Sequence, residues 1–135
     1  STFSIPIDEN SIAGYAAKTG RPLNLPDVYR LDPTCPYHFD KEFDDTARYT
    51  TRSVFALGLV TSKGDSLGIL QIINAQNDQG EVIPFAKSDE PLIVHFAATA
   101  ALSVDRALMT RDIILRMPGL PNHIQYFFTL LIIYN

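Results

Sequence analysis

The chain has 135 residues, of which 46% are hydrophobic, 10% aromatic and 19% charged, with a formal charge of -4. That length suits one compact domain of roughly 100–150 residues, and the ordinary apolar fraction and low charge argue against intrinsic disorder. Fifteen acidic against eleven basic residues argue against a nucleic-acid binder, and the single cysteine, Cys35, excludes a disulfide framework or a cysteine-rich zinc site.

Ser1-Thr-Phe-Ser-Ile-Pro6 has neither the basic nor the apolar region of a secretory signal. The first expected element is a short helix. Asn10 or Ser11 can cap it, Ile12, Tyr15 and Ala16 recur at helical spacing, and Gly20 supplies a left-handed stop. Arg21 to Pro26 alternates Leu23 and Leu25 with polar neighbours, and its two prolines restrict it to an edge strand. From Asp27 to Thr50 the pattern is broken by Pro33 and Pro36 and carries Tyr29, Tyr37, Phe39, Phe43 and Tyr49. A connection so rich in rings reads as a functional loop, with a short helix over Asp40–Thr46.

Thr51–Val60 and Ser66–Asn74 are the strongest strand signals, and the Ser62–Asp65 turn between them makes an antiparallel hairpin. A second polar turn, Asn77–Gly80, precedes Glu81–Phe85. The long helix starts at Ser88, with Asp89 and Glu90 at its positive end and Pro91 tolerated in its first turn. Ile93, Phe96, Ala97, Ala100, Val104, Ala107 and Leu108 keep its period to about Arg116, and Pro118-Gly119 ends it. Ile124–Tyr134 is the most apolar stretch, but its eleven residues fall short of the about 20 that a spanning helix needs. No membrane contact and a cytoplasmic location are the expectations. The order predicts an α+β fold, an antiparallel sheet with helices packed on one face and a long C-terminal helix.

Three stretches together resemble a GAF domain, the small-molecule sensor module of signalling proteins. They are Ile5–Tyr29, then Thr51-Arg-Ser-Val54 followed by Gly68–Asn74, and Phe85-Ala-Lys-Ser-Asp89-Glu90 opening a long helix. The likeness covers about residues 3–112 and is similar to GAF domains upstream of bacterial HD-type cyclic-di-GMP phosphodiesterases or cyclase modules. It implies residues 1–117 as a GAF-like, PAS-like sheet domain. A complete family member begins with another helix and two strands before the segment seen here. Residues 118–135 have no counterpart in the family; their strand composition allows an added strand, and a packed or dimerising helix is the alternative.

The resemblance implies a ligand held between the sheet and the connection over 27–50. Asp27 and Tyr29 would open that site, Phe39 and Phe43 would stack on a ring, and Thr51, Arg52 and Asn74 would supply polar contacts. Completion of the core by the rings, with Arg52 in a surface ion pair, is the structural alternative. Cyclic-nucleotide-binding members carry Asn-Lys, then Phe, three residues and Asp-Glu. Here Asn74, Phe85, Asp89 and Glu90 fit, but Ala75 replaces the lysine, so the Lys–Asp ion pair that fastens the loop cannot form. Bilin attachment uses a cysteine often followed by histidine, whereas Pro36 follows Cys35; methionine sulfoxide reduction needs several cysteines. His38, His95 and His123 have no metal-like spacing, and His95 reads as packed or interfacial.

No nucleophile elbow, phosphate-binding glycine loop or carboxylate pair is present, so neither catalysis nor a cofactor is expected. The expected function is a non-enzymatic sensory domain of a bacterial signalling protein, binding an unknown small molecule and dimerising through the 88–116 helix. A ligandless dimerisation module is the rival, and a cyclic-nucleotide receptor a third reading.

Overall fold

Helix α1 spans Ile12–Thr19 and is closed at both ends by its own sequence. Ser11 Oγ accepts the Gly14 N–H at 2.9 Å, and Gly20, at φ 67°, donates its N–H to the Ala16 carbonyl. These are the cap and the left-handed stop that the residue types predict. The computed structural model describes residues 8–60, 63–64, 66–107 and 125–132. After α1 come β1 (Leu23–Leu25), a 3-10 turn (Val28–Arg30), α2 (Glu42–Ala47), β2 (Val54–Val60) and β3 (Ser66–Gln76). A second 3-10 turn (Lys87–Asp89) leads into α3 (Glu90–Ala107), and β4 (Gln125–Ile132) is the last element. The expected end of the long helix near Arg116 lies outside the described residues, as do 118–124 and 133–135 of the apolar tail.

The four strands form one sheet in the order β1-β2-β3-β4, and each neighbouring pair is antiparallel. The expected hairpin is β2–β3, with Phe55 opposite Ile72 and Leu57 opposite Leu70. Strand β4 runs along the other side of β3, from Gly68 opposite Ile132 to Ile73 opposite Phe127. Register breaks between Ile73 and Gln76, where Asn74 takes φ 57°.

The helices divide between the two faces of the sheet, where a single covered face was expected. The reason lies in β2, which is apolar or glycine at each position and therefore needs cover on both sides. Alternate side chains of a strand point oppositely. Phe55, Leu57 and Leu59 pack with Leu70, Ile72, Phe85 and, from α3, Ile93, Ala97 and Ala101. Val54 and Ala56 pack on the other face with Ile12 and Ala16 of α1, Leu25 and Val28. Tyr29, Leu31, Tyr37 and Phe39 of the long connection lie against that second cluster. Phe55 and Leu70 are fully buried, and burying each side chain contributes about 2–3 kcal/mol. The sheet is thus a partition, with α1 and the ring-rich connection on one side and α3 on the other. No helix among the described residues is long and apolar enough to cross a membrane.

Candidate functional site

The connection between β1 and β2 is held to the sheet by two buried polar groups, Asp44 and Asn74. Asp44 lies on α2 and is 4% exposed. Its carboxylate accepts the Thr51 N–H at 2.8 Å, the Thr51 hydroxyl at 2.7 Å and the Tyr29 hydroxyl at 2.6 Å. Burial pushes its pKa up, but the hydrogen bonds from Thr51 and Tyr29 outweigh that and hold it below the ordinary carboxylate value. Tyr29 is moved the other way. Its hydrogen bond to Asp44, reinforced by burial and the adjacent negative charge, raises its pKa from 10.0 to about 12.

Around Tyr29 the remaining polar groups gather. Its ring meets Phe39 edge-on at 5.3 Å between centroids, and Lys41 Nζ and Arg52 Cζ each lie 5.2 Å from the ring centre. Asp27 caps the 3-10 turn by accepting the Tyr29 N–H at 2.9 Å, and its other oxygen is 3.4 Å from Arg52 Nη1. The Val28 N–H donates to the Arg52 carbonyl at 2.9 Å, so this turn is tied to the residues leading into β2. Tyr29 and Phe39 are half-buried, and Arg52 is exposed. Two exposed cations and two half-buried rings therefore lie against an apolar floor of Val54, Ala56 and Ile73.

Asn74 anchors the same segment from β3. Its Oδ1 accepts the Arg52 N–H at 2.6 Å, and its Nδ2 donates to the Tyr49 hydroxyl at 2.7 Å and the Thr50 carbonyl at 2.8 Å. Its own N–H donates to the Ser53 carbonyl at 2.7 Å. The left-handed backbone that this requires is one that asparagine tolerates better than most residues.

Asp27, Tyr29, Phe39 and Arg52 are thus brought together at one place, with Thr51 and Asn74 directly behind them. Thr51 and Asn74 are buried and direct their hydrogen bonds into the protein. Phe43 lies on α2, and its side chain falls outside the described residues. Sequence reasoning passed over Asp44, which it treated only as part of a short helix. The available signal was three acids in so short a helix, Glu42, Asp44 and Asp45, followed by a Thr-Thr pair rich in donors.

Ala75 is buried in the α3-side cluster with Phe85, whose ring meets Phe55 at 6.0 Å, so Phe85 is a core residue. Cys35 donates its thiol to the Tyr37 carbonyl at 3.0 Å. His38 Nε2 lies 3.6 Å from Asp8 Oδ2, while His95 is exposed on α3 where a packed position was one expectation; His123 lies outside the described residues. Among the described residues, no group of three His, Cys, Asp or Glu side chains is arranged to hold a metal ion.

A family profile described as GAF domain matches residues 1–104. The chain is 28% identical over 106 residues, 78% of its length, to a protein of Drosophila melanogaster named dual 3',5'-cyclic-AMP and -GMP phosphodiesterase 11. It is 30% identical over 109 residues, 81% of its length, to dual 3',5'-cyclic-AMP and -GMP phosphodiesterase 11A of Takifugu rubripes. The aligned parts span only 7% and 11% of those two proteins.

Two outcomes test this geometry. Asp44 has a depressed folded-state pKa, so its contribution to stability is present above the unfolded value and is lost as pH falls through the folded one. Tyr29 has a raised one, so its contribution holds below about pH 10 and is lost as pH rises toward 12. Asp44→Asn should flatten both limbs and return the Tyr29 phenolate absorbance titration toward 10.0; an unchanged titration would refute the coupling. Asn74→Ala strips partners from Arg52 N–H and Tyr49 and puts alanine in a left-handed conformation. Urea unfolding should register a loss of about 2–3 kcal/mol at unchanged m-value.

Proposed function

Since the chain belongs to the GAF domain family, we propose that it is a non-catalytic regulatory domain that binds a small molecule beneath the 27–50 connection. The observation that carries this reading is the cluster around Tyr29. Half-buried rings, two cations and the Asp27 carboxylate converge over an apolar floor, and that mixture suits a small polar ligand with a planar part. A ligand there would bias the arrangement of α3 to the extent that it binds one arrangement better than another.

The relatives' names make cyclic AMP and cyclic GMP the first ligands to test. Ala75 weighs against them, because the resemblance assigns that place to a lysine that would pair with Asp89. The two phosphodiesterase names support an output in cyclic-nucleotide turnover. A bacterial parent protein with a cyclic-di-GMP phosphodiesterase rests on the sequence likeness alone, and a cytoplasmic location is part of the same proposal.

A second reading, a ligandless association module, is favoured by a specific observation. Asp44, Thr51 and Asn74 already have internal partners, and the rings of the connection already lie on the sheet. Both readings give α3 a partner in a second copy of the chain. No Lys, Arg, Asp or Glu occurs from Pro91 to Val104, and Leu92, Val94 and Leu102 are exposed along that stretch. A helix face without charge is unusual in contact with water and suits another uncharged helix.

Thermal unfolding with and without cyclic AMP or cyclic GMP separates the two readings. A ligand at 100 times its Kd should stabilise the chain by about 2.7 kcal/mol, and Phe39→Ala should abolish the shift. An unmoved midpoint with both nucleotides leaves the association module in possession of the field for this ligand class. For the α3 face, Leu102→Lys should convert dimer to monomer in sedimentation analysis while the circular dichroism spectrum of the folded chain stays unchanged. A dimer that persists at equal affinity removes that face from the interface.

A further inference from the structure

Strand β1 has side chains on both faces of the partition. Leu23 and Leu25 belong to the α1-side cluster, whereas Asn24 stands opposite Phe55 in register and reaches toward α3. Its Nδ2 donates to the Phe85 carbonyl at 3.0 Å and to Glu90 Oε1 at 3.0 Å. Glu90 is the first residue of α3, and its carboxylate sits at the positive end of the helix, where an acceptor is charge-assisted. One side chain of the edge strand therefore fastens the entry of the helix on the far face.

The same strand runs directly into the ring cluster. Asp27 follows Asn24 by three residues, caps the turn that carries Tyr29, and pairs with Arg52. β1 itself has three residues and lies between Pro22 and Pro26, which donate no ladder hydrogen bond, so its hold on β2 is short. We infer that Asn24 couples the Asp27–Tyr29 segment to the first turn of α3. β1 moves as a short rod, and the Asn24–Glu90 bond, made or broken, passes that movement past the sheet edge to the helix. A coupling of this kind needs an element with two arrangements that both ends bias, and the bond supplies it. The inference rests on the proposed function only for what pushes the segment; the connection is testable without a ligand.

Hydrogen exchange of the full chain, followed residue by residue, is the test. Asp27→Ala releases the turn and should speed exchange of the Val94–Ala97 amides, which close the first turns of α3, about five-fold, the weight of one net hydrogen bond. In an Asn24→Ala background those amides start fast, and adding Asp27→Ala should change them no further. Amides of Ile69–Ile72 in β3 monitor the fold. Should Asn24→Ala unsettle them, Glu90→Ala removes the same bond from the helix side and should give the same non-additivity, while Glu90→Gln keeps an acceptor and should preserve the coupling. An equal Asp27→Ala effect with and without the bond, or no effect on α3, overturns the inference. Cyclic-nucleotide melts play no part in this measurement, so failure of the ligand reading and failure of the coupling are separately visible.

Discussion

A carboxylate enclosed by protein must be given donors or be neutralised, and in this fold Asp44 is given three. The donors come from places far apart in the chain order: the 3-10 turn after β1, and the residue that leads into β2. Satisfying one buried charge therefore fixes where α2, Tyr29 and Thr51 stand relative to one another. Asn74 repeats the device from the sheet side, where the break in register lets it reach Tyr49, Thr50 and Arg52. A connection with little regular structure is held by these two polar groups rather than by a ladder. The penalty for leaving such groups unsatisfied exceeds the gain from satisfying them, so the geometry is most strictly specified where the groups are buried.

Lys41 and Arg52 of the cluster are exposed, whereas the Tyr29 hydroxyl is itself one of the donors to Asp44. The sheet keeps the cluster and α3 on opposite faces. Influence between them has to travel through the strands or around an edge, and the shortest chemical route visible is at β1.

Much of the fold was legible in the residues. Ser11 and Gly20 bracket α1 as their chemistry requires, and the hairpin follows from two strand-rich runs with a turn between them. The family likeness rested on ordered stretches that the profile match spans. The division of the helices between two faces was misjudged, although β2 carried the clue: Val-Phe-Ala-Leu-Gly-Leu has no polar alternation, and such a strand cannot face water on either side. At the site, types and positions could be read but not pairings. Tyr29 and Thr51 meet at Asp44 although they stand 15 and 7 residues from it, and the run of acids in α2 was the one local sign that it has such a role. Asn24 was invisible for a related reason, since its partners lie 61 and 66 residues away.

The prolines on either side of β1 carry one more consequence. An outside strand seeking to dock along that border would find at most three residues able to join it, with a nitrogen lacking hydrogen at each limit. Among the described residues, growth of the sheet there is limited to that length. That margin of the described sheet is thereby poorly suited to fibre-forming contact.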